Sequence, residues 1–167
     1  MKKLYLIGGT MGVGKTTICQ ELKKNLDCSV FLDGDWCWNS HPFCVTNETK
    51  NMVLDNICYV LNNFIHCSVY ENIIFCWVMH QQSIIDDIIK RLDLKECQII
   101  PISLVCDEST LKQRLLKDIQ EGKREESILL RSVERIPLYN QLNTIKIDTT
   151  KKTINEIIDE IIESGLS

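Results

Sequence analysis

Hydrophobic residues follow two alternating patterns along the chain. Short apolar runs, typical of strands buried on both faces of a parallel sheet, are separated by stretches in which apolar residues recur every three or four positions, as on one side of a helix. The strand-like runs lie at residues 4–8, 29–32, 73–79, 98–106 and 143–148. Because strand and helix alternate five times, right-handed crossovers predict an α/β fold with one parallel sheet and helices on both of its faces.

The helical pattern predicts six helices, two of them in succession between the fourth and fifth strands. Their predicted bounds are about residues 17–26, 47–67, 84–92, 108–120, 127–136 and 154–162. Pro137 is expected to end the fifth helix, because proline cannot continue the hydrogen-bond ladder. Pro101 predicts weak pairing or a bulge at the start of the fourth strand. Residues 153–156 match a capping box at the start of the last helix.

A glycine-rich segment links the first strand to the first helix. It reads Gly9-Thr10-Met11-Gly12-Val13-Gly14-Lys15-Thr16 and fills every fixed position of G-x-x-x-x-G-K-[ST], the phosphate-binding loop. Glycines let main-chain N–H groups approach phosphate oxygens closely, and the helix N-terminus adds unpaired donors and the positive end of its dipole. Lys15 suits the β- and γ-phosphates, and the Thr16 hydroxyl suits Mg²⁺. The segment therefore predicts a site for a nucleoside triphosphate.

Two carboxylates, Asp33 and Asp35, flank a glycine at the end of the second predicted strand. In an open parallel sheet the ligand crevice lies at the carboxyl ends of the strands. A solvated turn would have the same composition. Next to a phosphate-binding loop, the functional interpretation is favoured, because phosphoryl transfer needs a metal-ordering carboxylate and a base for the acceptor hydroxyl.

Aromatic and histidine residues lie near the same predicted edge of the sheet. Trp36 and Trp38 follow the carboxylates directly, and they are either the wall of an acceptor pocket or anchors that hold a loop on the core. His41 is expected to be structural. His80, at the end of the third predicted strand, is a candidate for ligand contact.

Residues 121–137 form a charged segment with a glycine near its start and a helical pattern after it. Arg131 and Arg135 lie four positions apart and so project from one side of that helix. They belong either to a solvated face or to a lid that brings Arg124, together with Arg131 or Arg135, over the triphosphate and offsets its charge.

Length, charge and cysteine spacing disfavour several other classes of protein. A chain of 167 residues most simply forms one domain. Its net charge of −4 disfavours non-specific binding of nucleic acid. The nine cysteines include no C-x-x-C pair, which disfavours a zinc knuckle, and their odd number disfavours a disulfide framework. No stretch is typical of a signal peptide or a membrane span, so we expect a cytoplasmic protein without a membrane partner.

The phosphate-binding loop and the string Leu32-Asp33-Gly34-Asp35 resemble those of the P-loop small-molecule kinases of the nucleoside-monophosphate-kinase fold. A similar Leu-Asp-Gly-Asp ends a strand in gluconate kinase and adenylylsulfate kinase, and residues 41–42 are similar to the His-Pro that follows it in gluconate kinase. Shikimate kinase and chloramphenicol phosphotransferase are similar more distantly. The resemblance implies a three-layer P-loop NTPase fold with strand order 2-3-1-4-5, and one kinase domain over residues 1–167 with a short helical lid at about residues 121–137.

The same resemblance implies ATP and Mg²⁺ as cofactors and a role for each site residue. Lys15 would stabilise the transferred phosphoryl group, while Thr16 would hold Mg²⁺ and Asp33 would order water bound to it. Asp35 would orient or deprotonate the acceptor hydroxyl. Arg124 and Arg131 are the catalytic candidates of the lid. Nucleotide binding is expected from the loop and from two further residues, namely Gly9, Thr10, Met11, Gly12, Val13, Gly14, Lys15, Thr16, Thr17 and Arg114, the last of these against adenine.

These observations predict an ATP-dependent phosphotransferase that acts on a hydroxyl of a small molecule, as a monomer or a homodimer. A nucleoside or nucleotide kinase is the first alternative, favoured if one of Trp36, Trp38 and Trp77 stacks on a base. The second alternative is an ATP-binding resistance or switch protein without a fast acceptor reaction. The pair of carboxylates favours an enzyme, because a protein that only binds ATP needs no base for a hydroxyl.

Overall fold

The computed structural model describes residues 1–166, and within them five strands form one parallel sheet. The order across the sheet is β2-β3-β1-β4-β5, which confirms the order implied by the family resemblance. The strands are β1 (Lys2–Gly8), β2 (Ser29–Asp33), β3 (Asn72–Trp77), β4 (Cys97–Val105) and β5 (Ile145–Asp148).

Six α-helices connect and cover these strands in the described part of the chain. They are α1 (Lys15–Asn25), α2 (Asn47–His66), α3 (Gln82–Lys90), α4 (Glu108–Gln120), α5 (Ile128–Asn140) and α6 (Ile154–Ser164). A short 3₁₀ turn, Gly34–Cys37, follows β2. Among residues 1–166, no helix has both the length and the apolar character that a membrane crossing requires.

Alternation along the central strand β1 divides the core into two layers. Tyr5 and Ile7 face the layer formed with α1, α4 and α6, whereas Leu4 and Leu6 face the layer formed with α2 and α3. All four side chains are buried, because successive side chains of a strand point to opposite faces and helices cover both. This is why β1 shows an unbroken apolar run.

Helix α5 differs from its prediction, because it continues through Pro137 to Asn140. A proline inside a helix removes the one hydrogen bond that its N–H would donate four residues back, here to Val133. Tyr139 is buried among the residues of the α2 and α3 layer, and its packing holds the last turn in place. The helix also packs on the opposite layer through Val133 and Ile136, so α5 has contacts in both layers.

The other sequence-based bounds differ little from the structure. β3 ends at Trp77 and β5 begins at Ile145, each two residues inside its predicted span. The register of β1 with β4 runs through Pro101 without a bulge, and β5 pairs with β4 only from Ile102 onward. The predicted capping box is present, since Thr153 Oγ1 accepts from the Glu156 N–H and the Glu156 carboxylate accepts from the Thr153 N–H.

The parallel register brings the carboxyl ends of the strands to one edge of the sheet. Gly8 at the end of β1 is paired with Trp77 of β3 and with Ser103 of β4, and Asp33 at the end of β2 is paired with Cys76. The glycine-rich loop after β1 and the two carboxylates at the end of β2 therefore lie at the same edge of the sheet, as the sequence pattern predicted.

Candidate active site

The glycine-rich loop between β1 and α1 has a backbone that requires glycine at two positions. Gly12 and Gly14 have φ angles of 86° and 104°, in the region that side chains with a Cβ rarely adopt. Helix α4 also packs closely on the loop, so that a Cβ on Gly12 would lie only 2.6 Å from Leu115 Cδ2. Gly14 caps α1 directly, so the free N–H groups of the first helical turn begin at Lys15.

A cavity of about 290 Å³ lies between this loop, the end of β2 and helix α4. Its size is close to the lower bound of small-molecule sites. The residues that line it are Met11, Gly12, Gly14, Lys15, Thr16, Thr17, Asp33, Asp35, Val78, Arg114, Asp118 and Arg124. Most of the predicted site residues thus meet around one cavity, while three residues of the loop are buried and do not line it, namely Gly9, Thr10 and Val13.

Lys15 is folded back onto the loop that precedes it. Its Nζ donates to the carbonyl oxygen of Gly9 at 2.7 Å and to that of Thr10 at 3.1 Å. Burial lowers the pKa of the Lys15 ammonium, and the nearby Asp35 and Asp33 act in the opposite direction. An ammonium group held by neutral carbonyls can exchange them for a more strongly charged acceptor such as a phosphate oxygen.

Thr16 and Asp33 form the oxygen pair that the sequence assigned to a metal. The Thr16 hydroxyl donates to Asp33 Oδ2 at 2.8 Å, and Asp33 Oδ1 accepts from the main-chain N–H of Asp35 at 3.0 Å. Asp33 is only 5% exposed, whereas Thr16 is exposed. A hydroxyl and a carboxylate are hard donors that suit Mg²⁺, which usually takes few protein ligands and completes its shell with water and phosphate.

No closed metal site competes with this pair in the described chain. Residues 1–166 contain no group of three or more His, Cys, Asp and Glu side chains placed to hold a metal ion. A site that depends on Thr16, Asp33 and a nucleotide's own phosphates is consistent with that finding, because such a site needs no protein cage.

Asp35 is exposed at the cavity, one residue beyond the buried Gly34. Partial burial of its carboxyl group raises the pKa of Asp35, and the charge of Asp33 raises it further. Lys15, the nearby polar group of Trp77 and Arg124 lower the pKa. These are the conditions for a carboxylate that takes up a proton more readily than an isolated aspartate does.

Gly34, between the two carboxylates, is required by the packing of the chain. A Cβ on Gly34 would collide with the ring of Trp77, so the chain passes directly over the indole. This packing brings the Trp77 side chain close to Asp35. The sequence predicted Trp77 as part of a buried strand and as one of three tryptophans that could stack on a base, and no local signal indicated its place beside the carboxylate.

Arg114 is held at the cavity wall by main-chain and side-chain oxygens. Its Nη1 donates to the Val13 carbonyl at 3.2 Å and to Thr149 Oγ1 at 3.1 Å, and its Nη2 donates to the Thr149 carbonyl at 3.0 Å. Thr149 follows β5 directly, at the same edge of the sheet as the loop. Sequence reasoning missed it, although the edge rule for parallel sheets was a signal that pointed there.

The arginines of the segment after α4 divide between two cavities. Arg124 lines the main cavity, and its Nε donates to Asp118 Oδ2 at 3.0 Å. Arg131 does not line that cavity; it lines a second one of about 400 Å³, to which Arg124 also contributes. Arg135 lies near His80, where burial and then the charge of Arg135 lower the pKa of the imidazole.

His80, Trp36 and Trp38 follow strand ends, and they differ in how far each is buried. His80 does not line the main cavity, and its Nδ1 is buried without a hydrogen-bond partner among the described residues. Trp38 packs against Phe43 with ring centroids 4.6 Å apart and is partly buried on the α2 and α3 layer. Trp36 is 57% exposed and meets Phe31 edge-on at 5.2 Å. Trp38 therefore anchors its loop on the core, whereas Trp36 is exposed.

A protein-family model described as an AAA domain matches residues 6–135. The chain belongs to this AAA-domain family. The match covers the glycine-rich loop, both carboxylates and most of the segment that carries the arginines. No curated protein gave a significant match to the sequence.

Solved structures similar to this AAA domain include small-molecule kinases. A gluconokinase from Sinorhizobium meliloti 1021 is 18% identical with a TM-score of 0.70, and the match covers 97% of this chain and 90% of that one. A shikimate kinase from Acinetobacter baumannii, in complex with shikimate, is 19% identical with a TM-score of 0.64, covering 99% and 93%. The tunicamycin resistance protein of Deinococcus radiodurans is 15% identical with a TM-score of 0.72, covering 99% and 96%.

At these identities the similarity concerns the fold. The resemblance to P-loop small-molecule kinases that the sequence motifs indicated is confirmed, and so is the fold class.

Proposed function

We propose that the protein transfers the γ-phosphoryl group of ATP to a hydroxyl of a small molecule. The observation that carries this proposal is that one cavity is lined by Lys15, by the Thr16–Asp33 pair and by Asp35. The first two features suit a nucleotide's phosphates and its metal, and the third is a carboxylate with a raised pKa. A protein that only held ATP would need the first two but not the third.

The phosphates are proposed to lie against the glycine-rich loop and the first turn of α1. Helix α1 begins at Lys15, so the free main-chain N–H groups of its first turn are available to the phosphates, and Lys15 exchanges the carbonyls of Gly9 and Thr10 for phosphoryl oxygens. Arg114, fixed by Val13 and Thr149, offers its guanidinium plane to the adenine base. In this assignment the triphosphate of ATP lies in the loop and its adenine ring lies beside α4.

The metal is proposed to be Mg²⁺, held by the Thr16 hydroxyl and, directly or through water, by Asp33. When bound, the ion offsets charge on the phosphates. The Thr16 hydroxyl would hold the ion through an oxygen lone pair and could still donate its hydrogen to Asp33. Asp33 keeps its second oxygen on the N–H of Asp35, which holds the segment between the two carboxylates in place.

Asp35 is proposed to accept the proton of the acceptor hydroxyl. A base is most effective when its pKa lies near the working pH, and burial together with Asp33 moves the pKa of Asp35 in that direction. The proton passes from the acceptor oxygen to the Asp35 carboxylate while that oxygen bonds to the γ-phosphorus. The bond between the γ-phosphorus and the oxygen that bridges it to the β-phosphorus breaks, and ADP leaves with the electron pair of that bond.

Residues 121–137 are proposed as the lid of a single kinase domain. Arg124 already lines the cavity through its pair with Asp118, and Arg131 lines the adjoining cavity that shares Arg124. Rearrangement of residues 121–127 and of the Arg131 side chain would bring both charges over the triphosphate, where cations stabilise the transferred group.

The test is consumption of ATP in the presence of panels of hydroxylated acids, hydroxylated antibiotics and nucleosides, with the Asp35→Asn variant as the control. We expect at least one acceptor to accelerate ADP formation in the natural protein and to yield a phosphorylated product by mass spectrometry. If ATP binds but no acceptor accelerates turnover, the alternative of an ATP-binding resistance or switch protein replaces this proposal. If ATP does not bind in the presence of magnesium, both fail.

A nucleoside or nucleotide kinase is the second candidate function. The observation that favours it is the 57% exposure of Trp36, the residue directly after Asp35, because an exposed indole beside the acceptor base can stack on a nucleobase. Acceleration by nucleosides alone, abolished by Trp36→Ala and retained by Trp36→Phe, would select this candidate over an acceptor without a base.

A further inference from the structure

Thr10 occupies a position of the phosphate-binding motif at which any residue is allowed, and its side chain turns away from the cavity. The residue is 3% exposed. Its hydroxyl donates to the main-chain carbonyl of Ser132 at 2.8 Å, a bond between residues 122 positions apart in the chain. The glycine-rich loop is thereby attached to helix α5.

The attachment point lies between the two arginines of α5. Ser132 is 1% exposed and is flanked by Arg131 at the second cavity and by Arg135 beside His80. The Ser132 carbonyl has two lone pairs, so it can accept from Thr10 in addition to its helical partner. The next carbonyl, that of Val133, has no helical donor because the residue four positions on is Pro137.

Thr10 also contacts the catalytic lysine. Its carbonyl accepts from Lys15 Nζ at 3.1 Å while its hydroxyl donates to Ser132. One residue therefore connects the ammonium group that is proposed to bind phosphate with the helix that carries Arg131 and Arg135. When Lys15 turns to a phosphate, the bond at the Thr10 carbonyl is released and the bond at the Thr10 hydroxyl is retained.

We propose that Thr10 is a positioning residue that holds α5, and with it Arg131 and Arg135, in a fixed relation to the phosphate-binding loop. Loss of the Thr10 hydroxyl is therefore expected to affect nucleotide binding and the position of the α5 arginines differently. The main-chain N–H groups that receive ATP do not depend on the Thr10 hydroxyl, whereas the position of the α5 arginines does. This inference rests on the proposed function for its catalytic part, but its structural part can be measured without any acceptor.

The catalytic test uses Thr10→Val, which keeps the shape and removes the donor, and Thr10→Ser, which keeps the donor. A buried hydrogen bond contributes on the order of 1 kcal/mol, so we expect kcat to fall about five- to tenfold in Thr10→Val. The Kd of MgATP should change by less than about twofold. Thr10→Ser should restore kcat, and Ser132→Ala should leave it unchanged, because the acceptor of the bond is the main-chain carbonyl.

The structural test is hydrogen exchange of α5 in the protein without nucleotide. In Thr10→Val, amides of residues 132–136 and 138–140 should exchange faster than in the natural protein, and in Thr10→Ser and Ser132→Ala they should not. If Thr10→Val does not fold, Thr10→Ala removes the donor with less volume and takes its place. Hydrogen exchange therefore tests whether Thr10 anchors α5 even if the proposed phosphotransferase activity is absent.

Three results would overturn the inference. The first is unchanged exchange of α5 in Thr10→Val or Thr10→Ala. The second is an equal loss of kcat in Thr10→Ser and Thr10→Val, which would point to shape and not to the donated bond. The third is a loss in Thr10→Val that appears entirely in the Kd of MgATP, which would make Thr10 part of the nucleotide site.

Discussion

The Thr16 hydroxyl donates a 2.8 Å hydrogen bond to the carboxylate of Asp33. This bond joins the first turn of α1 to the last residue of β2, so that the two oxygen ligands proposed for Mg²⁺ are adjacent before any metal binds. Asp33 is buried and is held on its other side by the N–H of Asp35. The two proposed ligands are therefore held in a fixed place, which would reduce the entropy lost if an ion and a nucleotide bind there.

Lys15→Ala should lower phosphoryl transfer by about two to three orders of magnitude, because it removes a preorganised charge from the transferred group. The fold should persist, since Lys15 Nζ contacts only two loop carbonyls among its hydrogen-bond partners. Single-turnover kinetics and circular dichroism measure the two effects. Lys24→Ala, an exposed lysine of the same helix paired with Glu21, is the matched control. Near-normal turnover of Lys15→Ala would remove the central assignment.

Asp35→Asn should lower kcat by about two to four orders of magnitude, the contribution typical of a general base. The Kd of MgATP should change much less, because Asp35 is not assigned to the phosphates. Asp159→Asn, an exposed aspartate on α6, controls for the loss of one negative charge. The two constants are measured by steady-state kinetics and by calorimetry. An unchanged kcat in Asp35→Asn would exclude it as the base.

The rate should depend on pH through Asp35. Burial and Asp33 raise the pKa of this carboxyl, and only its deprotonated form accepts a proton, so kcat/KM should fall with decreasing pH at a midpoint above the usual aspartate range. Trp77→Phe removes an indole donor that lowers this pKa, and it should move the midpoint to still higher pH. A midpoint in the ordinary aspartate range, or one that Trp77→Phe leaves in place, would contradict this account.

Gly12→Ala should destabilise the protein by roughly 2 to 5 kcal/mol, the sum of a left-handed backbone and overpacking against α4. Gly12 has a φ of 86°, and its Cβ would lie 2.6 Å from Leu115 Cδ2. Gly122 is a matched control with a φ of 70° and no described atom within 4 Å of its Cβ. Gly122→Ala should therefore cost only about 1 to 2 kcal/mol. Equal losses in urea unfolding would show that packing against Leu115 contributes nothing.

Tyr139→Phe should leave the free energy of unfolding unchanged or raise it by up to about 1 kcal/mol. Tyr139 is 1% exposed, and its hydroxyl has no hydrogen-bond partner among the described residues. Removal of an unsatisfied buried hydroxyl relieves its desolvation cost while the ring keeps its packing. Urea unfolding measures the difference. A loss of more than about 1 kcal/mol would mean that the hydroxyl has a partner in solution.

Most of the fold was predictable from the hydrophobic pattern, because burial on both sides of a parallel sheet leaves an unbroken apolar run in each strand. The end of α5 was not. Pro137 is a strong local signal for termination, but the loss of one hydrogen bond is outweighed when Tyr139, two residues later, is buried. Local propensity and tertiary packing compete at this point, and packing decides.

The phosphate-binding loop and the two carboxylates were recognisable in the chain itself. Their chemistry depends on neighbours in sequence, since a strand, a glycine-rich turn and a helix start form one continuous segment, and parallel strands end at a common edge. Other features of the site depend on elements that are distant in the chain. Folding alone determined that Arg124 lines the main cavity while Arg131 lines another, that Trp77 lies beside Asp35, and that Thr10 donates to Ser132. Which side chains meet there is set by how helices and strands pack, and no local pattern encodes those distances.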